Sequence, residues 1–457
     1  MIKKLSSPTD MTVGSPWKSI VMFTIPMIIG NIAQQLYSTV DSIVVGKYIG
    51  DNALASVGSA TPIVNLFLVL FIGISSGATV MVSQYYGAKN RNGLSFTIGN
   101  SIVITAICCV GLILIGVPLI RPVLHLLNTP ETIIDGCAGY LTISLVGIAG
   151  MAYYNILSGI IRGLGDSFTT LIYLLVATVI NIFLDIYFVA VVKMGVAGVA
   201  LATVIAQIVS SILCLIKLSK MSEFFDFKLQ YFRPKSDYIK TIIRLGLPSG
   251  LTQAIFSSAM IIVQSLTNQF GEQFIAANVV VMRVDGFAMM PNFSFGMAMT
   301  TFTGQNVGAR LYDRVTKGAK QGTLIAMGCS ATITAAILIF GKGLMGIFTE
   351  TAELVDLSYY LMKILAFGYI MFAITQCLSG VMRGAGDTMT PMWISLFTTV
   401  VLRVPIAYGI SFLTRTSELP FGRFECIQIS LLVSWVVGAI ITAIFYKIGN
   451  WKKKAIN

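Results

Sequence analysis

Ser158–Thr169 reads S-G-I-I-R-G-L-G-D-S-F-T, and 221 positions later Ser379–Thr390 reads S-G-V-M-R-G-A-G-D-T-M-T. Seven of these twelve positions are identical. The same offset sets Gln84, Gly87 and Ala88 against Gln305, Gly308 and Ala309, with Lys89 against Arg310. It sets Gly50 and Ala55 against Gly271 and Ala276, with Asp51 against Glu272. Pro26 meets Pro248 after a shift of one residue. The second half of the chain repeats the first. A duplicated unit of this size, in so apolar a chain, is the pattern of a transporter built from two lobes around a central pathway.

The 457 residues are 56% hydrophobic and 11% charged, with a mean hydropathy of +0.84. A soluble chain carries about 25% charged residues, so the solvent for this surface is lipid. Seven cysteines sit mostly inside apolar runs without paired spacing, which predicts neither a disulfide framework nor a zinc site. Lys3 and Lys4 precede the first apolar run. That run contains Asp41 and lacks a small-residue cleavage site, so it reads as an uncleaved first span.

Apolar runs long enough to cross a bilayer recur at about 19–46, 52–84, 95–118, 133–158, 168–192, 196–219, 242–269, 275–305, 318–346, 354–380, 390–413 and 426–447. The expected fold is all-α: twelve transmembrane helices in two parallel six-helix bundles, related by a pseudo-two-fold axis along the membrane normal. The N-terminal lobe covers 1–220, a cytoplasmic linker 221–240 and the C-terminal lobe 241–457. The N-terminus, the loops after even-numbered helices and the tail hold 22 of the 31 Lys and Arg. The opposite side holds six, Lys47, Arg121, Lys193, Lys342, Arg415 and Arg423. The positive-inside rule then makes both termini cytoplasmic. The net charge of +12 is scattered over short loops, which argues against nucleic acid. The basic residues of the linker suit an anionic inner leaflet.

Ionisable groups at membrane depth need a reason. Asp41 lies near the outer end of helix 1, and Asp185 near that of helix 5. Asn181 precedes Asp185 by four and shares its helix face. Thr203 lies eight residues into helix 6, which places all four roughly 10–15 Å below the outer surface. Two carboxylates brought together share a proton or take up a cation. The amide and hydroxyl add the neutral oxygens that a sodium ion or proton network needs. At the 221 offset the counterparts are Ile262, Leu402, Ile406 and Phe424, so the duplicated fold does not itself require polarity there.

The second half carries a different set, Met282, Arg283, Asp285 and Met289 on helix 8 and Arg403 on helix 11. A structural ion pair between Asp285 and an arginine is the expected reading. A substrate cavity, with flexible thioethers for many shapes, is the alternative. Pro26 removes a backbone hydrogen bond in helix 1 and can bend it. The two R-G-x-G-D stretches, Arg162–Asp166 and Arg383–Asp387, read as cytoplasmic turns in which Arg and Asp can pair. His125 carries no expected role.

In these features the chain resembles multidrug and toxic compound extrusion (MATE) antiporters, specifically the prokaryotic DinF-like and NorM-like branch. The resemblance rests on twelve spans in two bundles, the paired Q-x-x-G-A-[KR] and R-G-x-G-D-x-x-T motifs, and the helix 1 proline. It implies a cation site at Asp41, Asn181, Asp185 and Thr203, and export of cationic or aromatic organic compounds in exchange for protons or sodium. Members with further acids in helices 7 and 10 have no match here, since those helices lack a mid-membrane acid. The expectation is a monomeric multi-pass protein of the inner (plasma) membrane. It is not an enzyme and has no cofactor beyond the coupling ion. A lipid-linked oligosaccharide flippase is the alternative, but it would need several basic residues in its cavity.

Overall fold

The computed structural model describes residues 8–127 and 129–456; the side chains of residues 37, 38, 40–46, 51, 52 and 54 lie outside that description. Helix α1 spans Pro16–Tyr48, α2 Asp51–Gly87 and α3 Arg91–Leu126. Helix α4 is a bent pair, Glu131–Val146 and Ile148–Gly163. Helix α5 runs Ser167–Ile186 into a π turn at Tyr187–Val191, and α6 is Val196–Ser219. The second half gives α7 (Ser236–Thr267), α8 (Glu272–Gly308) and α9 (Tyr312–Gly346). Helix α10 is again a bent pair, Ala352–Ala366 and Gly368–Gly384. Helix α11 comprises Met389–Leu396, a π turn at Phe397–Leu402 and Arg403–Leu413; α12 is Cys426–Ile448.

Ten of these helices are each long and apolar enough to cross a membrane. The two bent pairs, at 49° and 46°, make one span apiece and complete the twelve. No strand occurs among the described residues. The bends were not expected. They fall at Gly147 and at Phe367, and a Cβ at Gly147 or at Gly368, its counterpart one repeat on, would run into a neighbouring helix, at Val204 or Trp435 respectively.

Gly159 and Gly163 are one turn apart, and a Cβ at either would collide with α2, at Ser75 and Thr79 or at Val82. Gly380 and Gly384 do the same against α8, at Gly296 and Thr300. This small-x-x-x-small spacing lets helix backbones approach closely in lipid, where van der Waals packing drives association. The last glycine of the motif ends the helix in the left-handed region, at φ 93° for Gly165 and 96° for Gly386. The aspartate then caps the next helix. Asp166 accepts from the Thr169 N–H at 2.9 Å and its hydroxyl at 2.6 Å; Asp387 accepts from Thr390 at 3.3 and 2.8 Å. The expected Arg–Asp pairing within the motif does not occur. Lysines bridge the aspartates instead, Lys217 to Asp166 at 3.4 Å and Lys454 to Asp387 at 2.8 Å. A carboxylate turned forward onto its own helix start cannot also face back to the arginine four residues earlier.

The linker docks on the start of α3. Arg91 donates to the carbonyls of Ser222 and Glu223 and to Asp226 at 2.8 Å, which holds the Asp226 carboxyl below its ordinary range. Asn100 accepts from the Lys235 N–H at 2.7 Å, and the Lys235 ammonium lies 3.5 Å from the Phe96 ring centroid.

The chain forms two compact units. Among the described residues, unit 1 holds 8–10 and Ile25–Gly250; unit 2 holds Met11–Thr24 and 251–456. The divisions fall beside Pro26 and Pro248, not at the linker. The first stretch of α1 therefore packs within unit 2, where Arg314 donates to the carbonyls of Met11, Val13 and Gly14. The first half of α7 packs within unit 1, where Gly73, Gly77, Gly246 and Gly250 bring α2 and α7 together at backbone distance.

Candidate functional site

Helices α5 and α6 of unit 1 bring three of the four expected residues together. Asn181 and Asp185 are both fully buried, one turn apart on α5. The Asn181 amide donates to the Thr203 hydroxyl of α6 at 3.3 Å. Thr203 remains part-exposed. Helix α5 can present this face because α6 lies close. A Cβ at Gly198, near the start of α6, would press on Phe188 and Met194 at 3.0 and 3.2 Å. The π turn begins two residues after Asp185, with the Val192 N–H bonded to the Tyr187 carbonyl at 3.0 Å. Such turns interrupt regular helix most often where function needs it. The fourth residue, Asp41, has its side chain outside the described residues. Pro26 lies inside α1, buried.

An acid, an amide and a hydroxyl at one spot form an oxygen-rich cluster. It can hold a proton or a hard monovalent cation.

In unit 2 the expected Asp285–arginine ion pair is absent among the described residues. Asp285 instead accepts from the buried Tyr369 hydroxyl at 2.8 Å. Arg403 is near enough to act electrostatically on Asp285 without an ion-pair contact, and its Nε is buried without a partner. Arg283 is exposed and two residues from Asp285, so it projects from another face of α8. Met282 is exposed and Met289 half-buried. Met282, Arg283, Asp285 and Met289 share α8 and Arg403 lies on α11; Met282 and Arg283 do not join Asp285 and Arg403 at a common point.

Tyr369 was not anticipated, because a tyrosine in an apolar run reads as packing. Two buried amides lie on the same helix as Asp285. Asn278 accepts from Gln428 at 3.0 Å, and Asn292 accepts from Ser330 at 2.7 Å. The spacing of Asn278, Asp285 and Asn292, seven residues apart on one helix face, is the signal that could have found them.

The MatE family matches residues 26–187 and again 248–409, one match per repeat. The chain belongs to the MatE family. It is a membrane transporter, not an enzyme. A probable multidrug resistance protein of Bacillus subtilis, YoeA, is 29% identical over 449 residues, 97% of this chain and 96% of that protein. Crystal structures of MATE in the straight and in the bent conformation are each 25% identical. They superpose with TM-scores of 0.90 and 0.89, covering 98% and 97% of this chain and 99% and 98% of theirs. These relatives do not favour the flippase alternative.

Proposed function

We propose that this MatE transporter is a secondary antiporter of the inner membrane, with both termini cytoplasmic. It exports organic compounds, cationic or aromatic in character, in exchange for a proton or sodium ion. Asp41, Asn181, Asp185 and Thr203 hold the coupling ion. One observation carries the reading: buried Asp185 stands one turn from the Asn181–Thr203 hydrogen bond, at positions that are Ile406, Leu402 and Phe424 in the other repeat. The name of the relative above, a probable multidrug resistance protein, supports export of organic compounds; their cationic or aromatic character is what the family resemblance implies. Moving one charge inward through ~100 mV supplies about 2.3 kcal/mol, enough to sustain roughly a 50-fold gradient of a neutral substrate. Pro26 removes a backbone hydrogen bond inside α1 and gives it a point of bending, and α1 also carries Asp41.

The test is substrate uptake into everted vesicles or proteoliposomes under an imposed pH or sodium gradient, normalised to folded protein. Asp41→Asn keeps shape but removes the titratable charge, and it abolishes gradient-driven transport while insertion persists. Asn181→Ala weakens coupling less, since one neutral ligand is lost. Gradient-dependent transport at the wild-type level by Asp41→Asn would sink the proposal.

A further inference from the structure

We propose that Asp285, Tyr369 and Arg403 form a second proton-binding site, contained within unit 2 and separate from the α5–α6 cluster. The repeat supplies the first argument. At the 221 offset the three residues correspond to Val64, Ile148 and Ile182, all aliphatic. Three positions on three different helices are polar together in one repeat and apolar together in the other. A fold that merely tolerated scattered polar residues would not distribute them this way.

The local backbone supplies the second. Tyr369 is the second residue after the α10 bend. Arg403 is the first residue after the α11 π turn, its N–H bonded to the Thr398 carbonyl. Pro405 follows and has no N–H to give the Val401 carbonyl, so the α-helical ladder is interrupted here. Two of the three side chains are thus placed by departures from regular helix.

Neighbouring polar groups show what is different about Asp285. Above and below it on the same α8 face, Asn278 pairs with Gln428 and Asn292 with Ser330 and the Tyr369 carbonyl. These amides bind helices together. Asp285 is bonded through one carboxylate oxygen, to the Tyr369 hydroxyl, and remains part-exposed. A tyrosine hydroxyl can donate to a carboxylate or accept from a carboxylic acid, and it serves both protonation states.

The charge arrangement selects the ligand. With Asp285 ionised, the site and Arg403 together are neutral. With Asp285 protonated, the site carries one positive charge. A sodium ion would gain few oxygen ligands and would sit beside a guanidinium, so a proton is the fitting occupant. Among the described residues, the other charged groups on the neighbouring helices are engaged elsewhere. Lys363 of α10 lies over the Tyr359 ring, Lys342 of α9 pairs with Asp356, and Glu425 before α12 accepts from Tyr360. Arg283 of α8 projects from another face. The site stands whether or not the α5–α6 cluster couples transport.

The experiment is pH-dependent infrared difference spectroscopy on the full chain in lipid nanodiscs, with the proton itself as probe. Wild-type protein shows a protonated-carboxyl band that titrates. Asp285→Asn removes that band, and Asp185→Asn leaves it. Asp285→Glu keeps a band at a shifted position. Tyr369→Phe and Arg403→Gln keep the band but move its titration midpoint, which a merely structural role would not do. Identical spectra from wild type and Asp285→Asn overturn the proposal. So does loss of the band on adding sodium at constant pH. If Asp285→Asn fails to fold, the Glu variant decides, and an unchanged band position with unchanged midpoint counts against the site.

Discussion

Asp166 and Asp387 do one local job with different neighbours. Each caps the helix that follows it, and each takes a lysine from its own unit. Cap and bridge differ in worth. Loss of an aspartate cap costs about 1 kcal/mol, with a range of roughly 0.5–2. Lys454 is half-exposed, and exposed ion pairs contribute about 0.2–1 kcal/mol. Asp387→Ala should therefore lower the thermal midpoint of unfolding, read by tryptophan fluorescence in detergent, more than Lys454→Ala does. Equal losses would show that the lysine bridge, not the cap, holds this turn. The sequence showed the turn itself, since glycine and aspartate at that spacing have few other uses. It did not show the partner of the aspartate. Lys454 lies beyond the end of α12, and no spacing rule reaches 67 residues along the chain.

Twelve helical elements were legible because each needs about 20 apolar residues to cross lipid, and apolar runs of that length are hard to mistake. The α4 and α10 bends were not, because what bends these helices lies on other helices. Val204 of α6 and Trp435 of α12 press into the gaps left at Gly147 and Gly368. Gly368→Val should overpack against the Trp435 ring and destabilise unit 2 by about 1–3 kcal/mol. Gly409 has open space around its Cβ position, so Gly409→Ala should be neutral or gain up to about 1 kcal/mol. Thermal unfolding of both variants side by side tests this, and a Gly368→Val protein as stable as Gly409→Ala would refute it. The candidate sites divide along the same line. Asn181 and Asp185 were readable together because i and i+4 share a helix face. Thr203 could be joined to them because the α5–α6 connection is short. Tyr369 meets Asp285 from 84 residues away, so only the folded chain brings them together.

For the whole molecule, the lysine and arginine bias is the ground on which we propose that both ends of the chain are cytoplasmic. A periplasm-active phosphatase fused after Lys454 should be inactive, and a cytoplasmic reporter at the same point should work. Full phosphatase activity would reverse the orientation. A second prediction follows from the composition of the two units. Gly246 belongs by sequence to the second repeat, yet a Cβ there would strike the Gly73 carbonyl of α2. Gly246→Leu should make unit 1 the first part to unfold, seen as faster hydrogen exchange in α2 than in α8. Exchange accelerating first in α8 would contradict the assignment of this stretch to unit 1.

That exchange of segments bears on how such a chain could have arisen. Met11–Thr24 completes unit 2, and the stretch before Leu251 completes unit 1. If the ancestor was a single six-helix protein, its two copies would have traded the opening stretch of their first helices, as domain-swapped dimers do. Gene fusion would then have changed little physically, because partnership between the copies preceded the peptide bond that joined them. Severing the linker and co-expressing the halves would in that case return the molecule to its earlier condition: two chains, neither complete until it borrows from the other.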